Sequence, residues 1–427
     1  MAFHSRSRAV SLVIVAVLAA AVGAYFGWVS LQPDGAGSGG SGGSAGSAGS
    51  GSAGPALPPT PAPVTSTATA TAAHEPADKQ TPPTPAPDKA QEAFDAMTQE
   101  ERLGQLVMPA VTCGGGAAAE SFVAEHHIGS VVFLGDCWSG DAVKAEAARL
   151  VAAGGSDLIL AVDQEGGQVQ RVKGGGVDTI PSGTTQGEMA TSDLEAAAQG
   201  WGEQLKAVGV NYDLAPVVDT VDLANRNANA PIGALNRDYG LDAAGNAAHA
   251  QAFVRGMTAA GVGTSIKHFP GLGRVTGNTD YTTSGIEDDT TTATDATVAA
   301  FGQVLEEAPP TGVMVGLATY TQIDPDNPAA FSKAVVTDLL RGQLGWDGLV
   351  LSDSLTAQAA VHVAAKDRAV KFIAAGGDIA LFGSVSDAQA ALDGLVAAVQ
   401  ADPDLAAQAD AAALRVLRAK DSLGLLG

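Results

Sequence analysis

Basic residues are scarce in this chain. Its 427 residues include 23 Lys and Arg against 46 Asp and Glu, for a formal net charge of −23. A surface of that sign repels phosphate backbones and anionic headgroups, so nucleic acid and anionic lipid are excluded as partners of the globular part. The charge is read as a solvated acidic surface rather than an acidic binding tail. Cysteine is scarcer still: only Cys113 and Cys137 occur. An even pair suggests one disulfide if the compartment is oxidising, the alternative being two buried thiols. No Cys ends the N-terminal apolar run, which excludes a lipid-attachment box there. No Gly-x-Gly-x-x-Gly follows the first strand candidate, which argues against an open doubly wound dinucleotide-binding sheet. No cofactor and no metal are expected.

What is present divides into three parts. His4, Arg6 and Arg8 precede an uncharged apolar run over 9–29. Roughly 20 apolar residues suffice to span a membrane as a helix, and a cleaved signal usually has a shorter core. Residues 1–31 are therefore read as an uncleaved signal anchor, with secretion after cleavage as the alternative. Arg6 and Arg8 should stay cytoplasmic, leaving the rest of the chain outside the membrane. Trp28 and Tyr25 suit an interfacial position. Residues 32–87 are almost wholly Gly, Ser, Ala, Pro and Thr and cannot bury enough apolar surface to offset ordering, so a disordered linker is expected. The folded domain is expected over 88–427.

That domain opens on Thr98-Gln99-Glu100-Glu101, a capping-box pattern. Short apolar runs then recur at 106–111, 130–134, 158–162, 210–214, 263–266, 312–315, 349–351 and 378–381. Most are continuous rather than alternating, as strands buried on both faces require. Ala-rich stretches with helical spacing lie between them, among them 192–208, 243–260 and 355–375. Strands alternating with helices predict a single (β/α)₈ TIM barrel. Asp163, Lys267, His268 and Asp353 all fall at or just past a strand's C-terminal end. In a barrel those ends converge on one face, the one that carries chemistry.

Each motif also has a bland reading. In Asp163-Gln164-Glu165-Gly166-Gly167-Gln168-Val169-Gln170-Arg171 a carboxylate and a guanidinium can both address a sugar, or Asp163 and Arg171 can form a structural ion pair. Lys267-His268-Phe269-Pro270-Gly271 offers donors to hydroxyl or carbonyl oxygens, or His268 is a satisfied buried histidine under a turn. In Leu349-Val350-Leu351-Ser352-Asp353-Ser354-Leu355 a carboxylate is presented to the barrel mouth, or Asp353 or Ser354 caps the next helix.

These three motifs, in this order and spacing, resemble glycoside hydrolase family 3. The chain ends soon after the last strand candidate, so the resemblance narrows to the single-domain β-N-acetylglucosaminidase branch acting on cell-wall fragments. It implies a retaining hydrolase with Asp353 as nucleophile. Asp163, Arg171, Lys267 and His268 would bind the sugar. Arg237, in Asn236-Arg237-Asp238-Tyr239-Gly240, matches the family's substrate arginine. The expected substrate is an amino-sugar oligosaccharide or muropeptide, the expected state a monomer. A β-glucosidase or a catalytically silent cell-wall binder are the alternatives.

The chain departs from the branch after the fifth strand. That branch uses an Asp–His dyad as general acid/base, but here Asn278 stands at the dyad Asp and Asp280 at the dyad His. Leu317 also falls where the family often has a His. Asp280 is the candidate acid/base, with Glu287 and Asp288 as fallbacks and a turn-capping loop residue as the bland reading. Replacing His by an ionisable carboxyl should also disfavour an incoming phosphate, favouring hydrolysis over phosphorolysis.

Overall fold

The computed structural model describes residues 88–427; the predicted anchor and linker lie outside them. Eight parallel strands form the centre: β1 (Val107–Val111), β2 (Ser130–Phe133), β3 (Ile159–Val162), β4 (Tyr212–Asp213), β5 (Gly263–Phe269), β6 (Gly312–Val315), β7 (Leu349–Ser352) and β8 (Ala380–Phe382). Every residue of these strands is buried, which is why their sequences are continuous apolar runs.

Neighbours pair in the order β7-β6-β5-β4-β3-β2-β1-β8. A bridge between Leu351 and Ile379 brings the two ends together. The Ser352 N–H donates to the Ile379 carbonyl at 3.0 Å, and Ile379 N–H to Val350 at 3.1 Å. The sheet is thus a nearly closed barrel, not an open doubly wound sheet. A helical segment follows each strand, from Gly116–His126 after β1 to Val385–Ala401 after β8. The last helix, Pro403–Ser422, packs across the N-terminal face. There Lys420, fully buried, donates to Asp157 at 3.0 Å and to Gln105 at 2.7 Å. Asp378, just before β8, holds Arg341 at 2.8 Å and Arg415 at 2.7 Å. These contacts seal the bottom and leave the top free for loops.

Local signals read from the sequence appear where they were expected, with one displacement. Thr98 and Glu101 complete a reciprocal capping box at the start of Gln99–Gly104. Helices span Thr191–Ala207 and Ala243–Ala259. The helix expected over 355–375 starts only at Ala365. The preceding stretch is a loop whose backbone donors are committed elsewhere: Gln358 N–H donates to the Asp280 carbonyl at 3.2 Å and Ala359 N–H to that of Thr279 at 3.0 Å. A helix starting at Leu355 would have to surrender these bonds. The bond from Leu355 N–H to the Leu381 carbonyl, at 2.8 Å, likewise holds the start of this loop to the barrel.

Cys113, past β1, and Cys137, past β2, are bonded, with Cα atoms 6.1 Å apart. Adjacent parallel strands deliver their C-terminal loops side by side, within disulfide range.

Candidate active site

The C-terminal ends of β3, β5 and β7 carry Asp163, Lys267-His268 and Asp353 to one mouth. Lys267, on an inward strand position, is buried and its ammonium lies 2.5 Å from Asp163 Oδ1 and 2.7 Å from Glu165 Oε1. Glu165 in turn takes a two-pronged contact from Arg237, Nε to Oε2 at 2.8 Å and Nη2 to Oε1 at 2.7 Å. Burial alone would push the Glu165 carboxyl up, but the Arg237 and Lys267 cations outweigh it and hold it well below the usual carboxylate range. Burial alone would likewise lower Lys267, yet Asp163 and Glu165 keep it charged and raised.

The Gly-Gly pair after Glu165 is required by the turn that sets this carboxylate. Gly166 and Gly167 have φ of 101° and 57°, and a Cβ on Gly166 would meet the Pro181 carbonyl at 2.2 Å. Arg237 comes from a loop after β4, placed by Asn236 in the left-handed region at φ 54° and by its own bond to the Pro231 carbonyl at 2.9 Å.

His268 is buried, and its Nδ1 lies 2.7 Å from Asp219 Oδ2 while its Nε2 lies 3.2 Å from Arg237 Nη2. A guanidinium only donates and a carboxylate only accepts. The network therefore assigns the proton to Nδ1 and makes Nε2 an acceptor. His268 is engaged on both ring nitrogens by protein rather than displaying a free donor. Asp219 also accepts from Leu272 N–H at 2.7 Å, which pins the start of the loop after β5.

Asp353 is partly buried, and its Oδ1 accepts the Ser354 N–H at 2.7 Å. The next α-helix begins only at Ala365 and the short 3-10 turn before it, Gln358–Ala360, has Ala357 at its N-cap, so the helix-capping reading of Asp353 and Ser354 is wrong. The reading of Asp163 and Arg171 as an ion pair is wrong too. Asp163 belongs to Lys267, while Arg171 donates to Asp136 at 2.9 Å on the rim, its N–H meeting the Asp163 carbonyl only through the backbone at 3.2 Å.

Asp280 sits on the loop after β5. The turn there is capped by Asn278, whose Oδ1 accepts Asp280 N–H at 2.9 Å. Among the described residues no hydrogen bond reaches the Asp280 carboxylate, so the turn-capping reading of this side chain fails. Asp280 is exposed as a residue, while its carboxyl group is largely enclosed by protein. Burial is the largest influence on it, followed by the nearby Asp353 charge, and together, against the opposing Arg237 and His268, they push its carboxyl up to about 6. Of the fallbacks, Asp288 is tied up by the N–H groups of Thr290 and Thr291, both at 2.9 Å, and by both threonine hydroxyls. Glu287 is exposed in the short pairing with Thr319–Tyr320 and lines a separate acidic cavity of about 440 Å³ with Asp222 and Arg274. Leu317 is fully buried and brings no polar group.

Three groups were not singled out from the sequence. Glu165 was visible inside its motif but without a role; two cations now converge on it. Asp219 had no signal beyond lying a few residues past the fourth strand. Asp213, at the end of β4, is fully buried beneath Gln164, whose N–H it accepts at 3.0 Å, and its other oxygen has no partner among the described residues. Burial pushes Asp213 up to about 8.

Residues 98–419 match the model of the glycosyl hydrolase family 3 N-terminal domain. The β-hexosaminidase LpqI of Mycobacterium tuberculosis is 31% identical over 336 residues, covering 76% of this chain and 83% of that protein. A β-hexosaminidase of Bordetella avium is 36% identical over 219 residues, covering 49% of this chain and 59% of that protein. The crystal structure of a β-N-acetylhexosaminidase from Beutenbergia cavernae superposes with a TM-score of 0.73 at 45% identity, covering 76% of this chain and 99% of that one. With the match spanning nearly all described residues and the motif side chains gathered at one mouth, the chain belongs to glycosyl hydrolase family 3 and is a glycoside hydrolase.

Proposed function

We propose that this enzyme is a retaining exo-β-N-acetylglucosaminidase that removes terminal β-linked N-acetylglucosamine from cell-wall fragments. The observation that carries the mechanism is the pairing of two carboxyls in one mouth. Asp353 directly follows β7, and the loop after β7 is bonded to the Asp280 loop through Gln358 N–H to the Asp280 carbonyl at 3.2 Å. Burial and then the Asp353 charge hold Asp280 protonated to a higher pH. Two carboxyl groups with opposite protonation are what a two-step displacement needs. Asp353, ionised, attacks the anomeric carbon while Asp280 gives its proton to the departing glycosidic oxygen. The C–O bond to the leaving group breaks and a glycosyl–Asp353 ester forms. Asp280, now ionised, takes a proton from water, whose oxygen attacks the same carbon and releases Asp353. Asp163 and Lys267 supply an acceptor and a donor for sugar hydroxyls, and Arg171 stands at the rim. Arg237 and His268 are braced by Glu165 and Asp219.

The amino-sugar specificity is supported by the relatives named β-hexosaminidase and β-N-acetylhexosaminidase. An ionised Asp280 repels an incoming phosphate, which favours water as the acceptor. Asp353, Asp280 and the sugar-binding set are all present, which favours an active enzyme over a silent binder. The test is turnover of chromogenic β-N-acetylglucosaminide beside the matching β-glucoside, with and without phosphate. The reading requires turnover of the former alone and release of free sugar rather than the sugar 1-phosphate. Preference for the glucoside, or no turnover of either, overturns it.

The domain is further proposed to act outside the cytoplasmic membrane, tethered through residues 1–31 by the Gly/Ser/Pro-rich segment 32–87. Protease added to intact protoplasts should release it, and full protection would contradict this topology.

A further inference from the structure

Large apolar side chains are rarely left in water on the described surface: Tyr281 at 80%, Val361 at 46%, Leu241 at 38% and Val151 at 37% are those that stand out. Singly scattered exposure is ordinary. Tyr281 and Val361 are not scattered. Tyr281 directly follows Asp280, and Val361 is on the loop after β7. The two loops are joined by the bonds from Gln358 N–H to Asp280 and from Ala359 N–H to Thr279. A further bond, from Val361 N–H to the Gln358 carbonyl at 3.2 Å, fixes Val361 to the same junction. Tyr281 is fixed likewise, its N–H donating to Asn278 at 3.0 Å.

Proton transfer determines what passes this spot. A general acid works only within hydrogen-bond reach of the leaving oxygen, about 2.6–3.2 Å. The sugar attached to that oxygen must therefore lie against residues bordering Asp280, on the side away from Asp353. A pyranose presents a face of C–H groups, and an aromatic ring held in water beside it offers matching apolar area at low entropic cost.

We infer that Tyr281, with Val361 on the adjoining loop, forms the platform for the leaving-group sugar and sets the preference for glycan over non-glycan leaving groups. This rests on the proposed hydrolase reading, with Asp280 as its acid. The experiment compares two substrates of the full chain: N,N′-diacetylchitobiose, which leaves as a sugar, and β-N-acetylglucosaminyl fluoride, which leaves nothing to stack. In Tyr281→Ala, kcat/KM for the disaccharide should fall about tenfold, while that for the fluoride should shift by no more than about twofold. Tyr281→Trp should retain the disaccharide rate, and Val361→Ser should show a weaker loss of the same selectivity. Equal loss on both substrates would mean that Tyr281 serves the loop rather than the leaving group, and no loss on either would mean that it serves neither; each overturns the inference alone. If wild-type protein cleaves neither substrate, the hydrolase reading fails first and the platform with it.

Discussion

Arg237 grips Glu165 through two parallel bonds, at 2.8 and 2.7 Å, and in doing so carries a loop after β4 to the motif after β3. The same carboxylate holds Lys267, so one buried anion faces two cations, with Asp163 as the second partner of Lys267.

Glu165→Gln should therefore cost more than a hydrogen bond. Removing one partner from a buried ion pair leaves charge uncompensated, worth about 3–5 kcal/mol. Chemical denaturation at neutral pH should show a loss of this size, with activity reduced as Arg237 and Lys267 lose their brace. The pH dependence follows from the depressed Glu165 carboxyl. Its contribution is full above the unfolded carboxyl value of about 4.3 and drains away as pH falls from there toward the folded value. The variant should thus lose less stability on acidification than wild type. A neutral-pH stability within about 1 kcal/mol of wild type would refute the brace.

Asp353→Asn preserves shape and removes the nucleophile. Attack on the anomeric carbon needs the ionised carboxylate, so kcat should fall at least about a thousandfold, or roughly 4 kcal/mol of barrier. Activity within tenfold of wild type would sink the assignment.

Asp280 must hold its proton to start the reaction, and its carboxyl titrates at about 6. The rate of glycosylation, read as kcat/KM, should decline as pH rises through that value. In Asp280→Ala this alkaline limb should vanish. The variant should be slow on poor leaving groups, less impaired on activated aryl glycosides, and accelerated by azide. Wild-type behaviour of Asp280→Ala on natural fragments would place the acid/base elsewhere.

The bond between Cys113 and Cys137 spans a sequence separation of 24. Closing a loop of that length is worth about 3 kcal/mol in the chain-entropy model. Cys113→Ser should lower the unfolding free energy by about that amount with kcat nearly unchanged, since neither sulfur belongs to the site described above. Thiol titration of unfolded, unreduced protein supplies the direct check: two free thiols would show that the bond does not form.

Eight strands, their order and the face that gathers the motif residues were legible in the chain itself. A strand buried on both sides must be apolar throughout, and a residue that ends such a run must lie at the barrel rim, so Asp163, Lys267, His268 and Asp353 announced their positions by local context alone. Caps such as Thr98 with Glu101 are equally local. Partnership was not legible. Lys267 meets Asp163 across 104 residues, Arg237 meets Glu165 across 72, and His268 meets Asp219 across 49. Nothing in the sequence around Asp163 distinguishes Lys267 from Arg171 as its cation; closure of the barrel decides that by geometry. Helical spacing over 355–375 likewise records local propensity, but Gln358 and Ala359 give their N–H groups to Asp280 and Thr279, which the fold brings within reach. Sequence reports what each residue prefers among its near neighbours, and only the closed barrel determines which distant charge each of them faces.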